Sequence, residues 1–232
     1  MILAQALASA GFVAAAIKHP GDTVNDGSHR DDLSIRASRL TDIIRLVGFL
    51  LDDWKDKVSI DRARIGFFGF SRGGYTGLAR AGGKPDFRRI ALYCPESDKT
   101  PACEQLRNSE IPPDPPQDAR IKAAVGADAG PTYPFTSENL AGIRIPLQVW
   151  RSEFLAGNED DVAGIARVAA ADPASRTLVS WCGLVIGRSC RRPQRRRQQV
   201  LRGSAPTQQA LIAPSFTTSS TRALSAFPRA SR

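Results

Sequence analysis

The chain has 232 residues, 32 Lys and Arg against 23 Asp and Glu, and a formal net charge of +9. With 42% hydrophobic and 24% charged residues it reads as one globular domain, or one domain with a tail, and not as a disordered chain. No apolar run reaches the roughly 18–20 residues that a membrane-spanning helix needs.

In chain order, residues 3–11 read as the last turns of a helix closed by Gly11. Phe12–Ile17 reads as a buried strand, and residues 18–33, rich in Gly, Asp, Asn, His and Ser, as a loop. Residues 35–54 carry Ile35, Leu40, Ile43, Ile44, Val47, Leu50, Leu51 and Trp54 at helical spacing. Arg64–Phe70 predicts a central strand and 72–82 a helix ending at Gly82-Gly83. A loop follows from about 94 to 119, with Pro95, Pro101, Pro112, Pro113, Pro115 and Pro116. Ile121–Ala127 and Ile145–Trp150 are further strands, and Asp161–Ala171 a helix. Strands alternating with helices predict an α/β three-layer sandwich with a mostly parallel sheet. There is no internal repeat. Beyond residue 178 periodicity fails, so the expected organisation is a body, 1–178, and an irregular Arg-rich tail, 179–232.

The charge follows that division. Residues 173–232 hold 11 Arg and no Lys, Asp or Glu, which leaves residues 1–172 with 21 basic and 23 acidic residues. A near-neutral body thus carries a basic tail. Arg191, Arg192 and Arg195–Arg197 form a run that binds phosphates without sequence preference, but Trp181, Phe216 and Phe227 lie far from it, so specific nucleic-acid recognition is not expected. Cys94, Cys103, Cys182 and Cys190 include no CxxC pair, and His19 and His29 are the only histidines, which argues against zinc. No cofactor is expected. Cys94 and Cys103 flank the Pro-rich region, either as a disulfide in an exported protein or as two thiols. The apolar opening with its Ala-Ser-Ala lacks a basic n-region, so it reads as a helix rather than a signal peptide, and a cytoplasmic location is the expectation for the chain as written.

Gly69-Phe70-Ser71-Arg72-Gly73 carries the chemistry. A G-x-S-x-G between a buried strand and a helix is the context of a nucleophile elbow. The sharp turn lifts the serine above the sheet, the glycines leave room for it, and the following helix aims its N-terminus at developing negative charge. The backbone N–H of Arg72 then supplies an oxyanion donor.

With Leu7–Val13, His19–Thr23, Asp61–Thr76, Ile121–Val125 and Ile145–Trp150, this motif resembles the α/β-hydrolase superfamily, in particular dienelactone-hydrolase-like and platelet-activating-factor-acetylhydrolase-like proteins. The resemblance spans about residues 3–172. It implies an incomplete α/β-hydrolase fold and hydrolysis of a carboxylic ester or lactone through an acyl-enzyme on Ser71. It also implies a triad in the order Ser, acid, His. Asp160, Glu153 and Asp161 are the acid candidates after the strand ending at Trp150. No histidine follows residue 29, so neither His19 nor His29 fits that order, and the expectation is a chain without a general base and with little activity. The early strand and the second oxyanion loop of such proteins would precede the first helix, which therefore reads as truncated. A non-catalytic scaffold and a nucleic-acid-binding tail are the competing readings.

Codon arithmetic offers an account of the tail. Leu184–Cys190 can be encoded so that the neighbouring frame gives Gly-His-Trp-Pro-Phe-Leu, similar to the family's catalytic-histidine segment. In that frame Thr207–Phe227 yields a stretch similar to its C-terminal amphipathic helix. The expectation is a frame change near residue 178, which makes the basic tail a translation artefact. Resequencing the gene should reveal the hydrolase frame behind the tail; clean reads with no such frame would refute it.

Overall fold

The computed structural model describes residues 2–114, 117–152, 159–170, 176–181 and 209–212. In chain order these form α1 (Ile2–Ser9), β1 (Phe12–Ala15), α2 (Leu33–Asp52), β2 (Ile65–Phe70), α3 (Arg72–Arg80), α4 (Pro101–Arg107), β3 (Ile121–Ala127), α5 (Ser137–Leu140), β4 (Leu147–Ser152), α6 (Glu159–Ala170), β5 (Arg176–Trp181) and β6 (Gln209–Ile212). The strands make one sheet in the order β1-β6-β2-β3-β4-β5, with every neighbouring pair parallel. This is an α/β architecture. Among the described residues, no helix is long and apolar enough to cross a membrane.

Both faces of the sheet are covered. Successive strand residues point to opposite sides. Ile65, Phe67, Ala124, Leu147 and Val149 join a large core with Leu40, Ile43 and Val47 of α2, Tyr75 and Leu78 of α3, and Ile165 and Val168 of α6. Phe68, Val125, Ala127 and Trp150 join a smaller core with Leu7 of α1 on the other side, where the Phe68 and Trp150 rings meet edge to face at 5.9 Å. This double coverage explains why Ile65-Gly-Phe-Phe-Gly-Phe70 is a continuous apolar run: a central parallel strand has no wet face. The buried residues of α2, at Ile35, Leu40, Ile43, Val47, Leu50 and Leu51, follow the 3.6-residue period that predicts this helix.

Two expectations change, and one open alternative is decided. The Pro-rich loop contains α4, because Pro101 occupies the first turn, where a missing N–H costs nothing and the fixed φ is helical. Cys103 of that helix is joined to Cys94, so the pairing that sequence leaves open is made. The tail is not wholly irregular. β5 runs through residue 178, so the expected boundary cuts a strand, and β6 lies inside the tail. Backbone pairing is the reason: β5 matches the edge of β4 residue for residue, and β6 fills a gap one strand wide between β1 and β2. Cys182, Cys190 and the Arg191–Arg197 run lie outside the described residues.

Helix α3 lies close against the sheet. An added Cβ at Gly74 would stand 2.6 Å from Cα of Ala129, a backbone atom that cannot turn aside. At the far end of α3, the buried Arg80 lies 3.5 Å from Asp118, which also receives Arg120 at 2.7 Å. Gly74→Ala should therefore force α3 off the sheet and cost about 1–3 kcal/mol, read as a lower urea midpoint; an unchanged midpoint would contradict this packing.

Candidate active site

The C-terminal ends of parallel strands are where α/β sheets place their sites. Here Phe70, Ala127 and Trp150 stand in register across β2, β3 and β4, so the next residues, Ser71 and Asp128 among them, share one rim. Ser71 connects β2 directly to α3 and has φ +48° and ψ −120°. A non-glycine residue in that region stores about 1–3 kcal/mol of strain and persists only where its surroundings over-determine it. They do so here. The Ser71 N–H donates to the Ala127 carbonyl at 2.9 Å. Its own carbonyl accepts from Gly130 N–H at 3.0 Å and Tyr75 N–H at 3.1 Å. The turn is so tight that a Cβ on Gly69 would lie 2.1 Å from the Gly73 carbonyl oxygen, which explains why the residue two before the serine is glycine.

Ser71 is exposed and its hydroxyl does not cap α3, the usual use of a serine at that position. The helix begins at Arg72, so its first amides have no intrahelical acceptor and face the serine's end of the helix.

Beside the elbow lies a cavity of about 420 Å³, whose wall includes Lys18, His19, Asp22, Arg39, Ser71 and Arg72. Its charges form one network. The Asp22 carboxylate accepts from Arg39 Nη1 and Arg72 Nη1, each at 2.8 Å, and Arg30 stands 3.8 Å away. Asp22 and Arg39 side chains are only 6% and 7% exposed, so this is a buried ion pair. Arg39 Nε also donates to Thr76 Oγ1 of α3 at 3.1 Å, and Arg72 Nη1 to the Arg30 carbonyl at 2.8 Å. The network ties the loop after β1 to α2 and α3 on either side of the serine. Sequence reasoning singles out Arg72 for its backbone N–H; the structure adds this side-chain role.

His19 sits in the same wall, 4% exposed. Its Nδ1 is 2.8 Å from Asp42 Oδ2, and its buried Nε2 has no hydrogen-bond partner among the described residues. Burial, then the nearby Arg39 charge, hold its pKa below the ordinary histidine value, against the opposing pull of Asp42 and Asp22. The imidazole is therefore neutral at pH 7. His29 is exposed and 2.8 Å from Asp32, whereas His19 belongs to the cavity.

Of the expected acids, Glu153 lies outside the described residues, and Asp160 and Asp161 are backbone positions two and three of α6. Sequence reasoning missed Asp128. It follows β3 directly, is 7% exposed, has φ +41°, and accepts the Ser152 N–H on Oδ1 at 2.7 Å. Its only signal was an aspartate immediately after an apolar strand. Asp22, the hub of the charge network, was visible only as part of the His19–Thr23 segment. Among the described residues, no group of three or more His, Cys, Asp or Glu could hold a metal ion.

No protein-family model matches the chain, and no curated protein or solved structure is significantly similar to it.

Asp22→Ala would leave Arg39 buried without its counter-charge. The expected cost is about 3 kcal/mol or more in chemical denaturation. A loss below about 1 kcal/mol, the value of a surface pair, would mean that the network does not hold the loop.

Proposed function

We propose that this chain is a serine hydrolase of α/β-hydrolase type, built for carboxylic esters or lactones through an acyl-enzyme on Ser71, with activity kept low by the lack of a histidine after the acid. The observation that supports the reading is the backbone of Ser71: a non-glycine residue at φ +48°, at the joint between a central strand and a helix, with an exposed hydroxyl that caps nothing. Strain of that kind lifts a nucleophile clear of the sheet.

In this reading Ser71 Oγ attacks the ester or lactone carbonyl carbon. The carbonyl oxygen becomes an oxyanion at the N-terminus of α3, where the Arg72 N–H and the positive end of the helix stabilise it. Collapse expels the alcohol, or opens the lactone, and leaves the acyl group on Ser71. Water then releases the acid and restores the serine. Asp128 at the shared rim, and Asp160 by the resemblance, are the candidate acids in this reading. The dienelactone-hydrolase-like and platelet-activating-factor-acetylhydrolase-like resemblance belongs to the same proposal, as does the absence of a requirement for a metal or cofactor.

Incubation with a fluorophosphonate should add one phosphonyl group, found by mass spectrometry on the peptide containing Ser71. Ser71→Ala should abolish the adduct and lower hydrolysis of an activated short-chain ester by about 10³-fold. A wild-type chain that gains no mass on that peptide would overturn the proposal.

A further inference from the structure

We propose that His19, oriented by Asp42, is the proton acceptor for Ser71 in this chain. The inference rests on the reading of Ser71 as a nucleophile. It departs from the chain order Ser, acid, His that the resemblance implies. A serine–histidine–carboxylate set is recognised by geometry and roles, and the same set occurs in several chain orders.

Three observations carry it. First, His19 and Ser71 line one cavity, although 52 positions separate them in the chain. Second, the Asp42 carboxylate, an acceptor only, lies 2.8 Å from Nδ1, so the neutral ring carries its proton on Nδ1 and its lone pair on Nε2. That is the tautomer a general base needs. Third, Nε2 is buried and has no hydrogen-bond partner among the described residues. A buried polar atom left unsatisfied costs about 1–3 kcal/mol and calls for a functional or structural reason. The charged groups around the ring are Asp42 and Arg39 from α2 and Asp22 from the loop, with Lys18 and Arg72 on the same cavity wall.

No hydrogen bond joins His19 to Ser71 in the resting chain. The contact forms when an ester fills the cavity, as catalytic hydrogen bonds often tighten only in the substrate complex. As Oγ attacks the carbonyl carbon, the hydroxyl proton passes to Nε2, and Asp42 stabilises the imidazolium. Nε2–H returns that proton to the departing alkoxide as the ester C–O bond breaks. In the second half, water loses a proton to Nε2 as it attacks the acyl carbon, and Nε2–H gives it back to Ser71 Oγ as the acid leaves.

The test measures the rate of fluorophosphonate labelling of Ser71 in the full chain. His19→Ala should slow labelling by about 10²-fold or more, and added imidazole should restore part of the rate, which a purely structural role would not allow. Asp42→Asn should slow it by about tenfold, and His29→Gln should label as wild type. Lowered histidine basicity sets the sign of the pH dependence: the active form is the neutral ring, so the wild-type rate should fall on acidification with a midpoint below about 6.5. If His19→Ala labels at the wild-type rate while Ser71→Ala does not label, the base lies elsewhere and only this inference fails. If wild type itself does not label, the reading of Ser71 fails and takes this one with it. If circular dichroism finds His19→Ala unfolded, Asp42→Asn decides, and labelling of that variant at the wild-type rate overturns the proposal.

Discussion

The approach of the Gly69 backbone to the Gly73 carbonyl is the constraint on which the site depends. It leaves no room for a Cβ, and so it turns the central strand into α3 within one residue. That residue, Ser71, must then adopt a backbone conformation that L-residues rarely hold. The cost is met by its surroundings: β3 takes the Ser71 N–H, the turn after β3 and the first turn of α3 supply donors to its carbonyl, and both cores clamp the sheet beneath. A serine so held is exposed, and its hydroxyl does not cap α3.

Around that fixed point the polar structure is organised by Asp22. Two arginines from different helices, Arg39 and Arg72, converge on one carboxylate. Removing any of these charges from water is expensive, and their mutual arrangement offsets the cost only in one geometry. The pair therefore specifies where the loop after β1 lies. His19 rides on that loop and is held by Asp42 from below. A loop of Gly, Asp, Asn and Ser, which has few apolar contacts of its own, gains a defined position over the serine by ionic and hydrogen-bonded ties instead.

The net charge of +9 says little about this site. It comes from residues 173–232, while the cavity beside Ser71 draws its cations from Lys18, Arg39 and Arg72, and Asp22 neutralises part of them. Overall charge and local field are separate quantities here.

Much of the fold is legible in the sequence because it is written in local patterns. The period of α2, the apolar run of β2 and the G-x-S-x-G at the joint of β2 and α3 need only neighbours within a few residues to be read. α4 and α5 are not legible that way: one hides among prolines, and the other is four residues long with its Thr136–Asn139 capping box as the sole signal. β5 and β6 are strands through the edges they meet rather than through their own periodicity. The sequence by itself determined that Ser71 sits at a strand–helix turn, because glycine spacing and apolar patterning are short-range properties. Only the tertiary structure decided that His19 and Asp22 line the cavity, that Asp42 stands against His19, and that Asp128 shares the serine's rim. Contacts between residues 20 to 60 positions apart depend on how helices cross and strands register, and no local pattern encodes that.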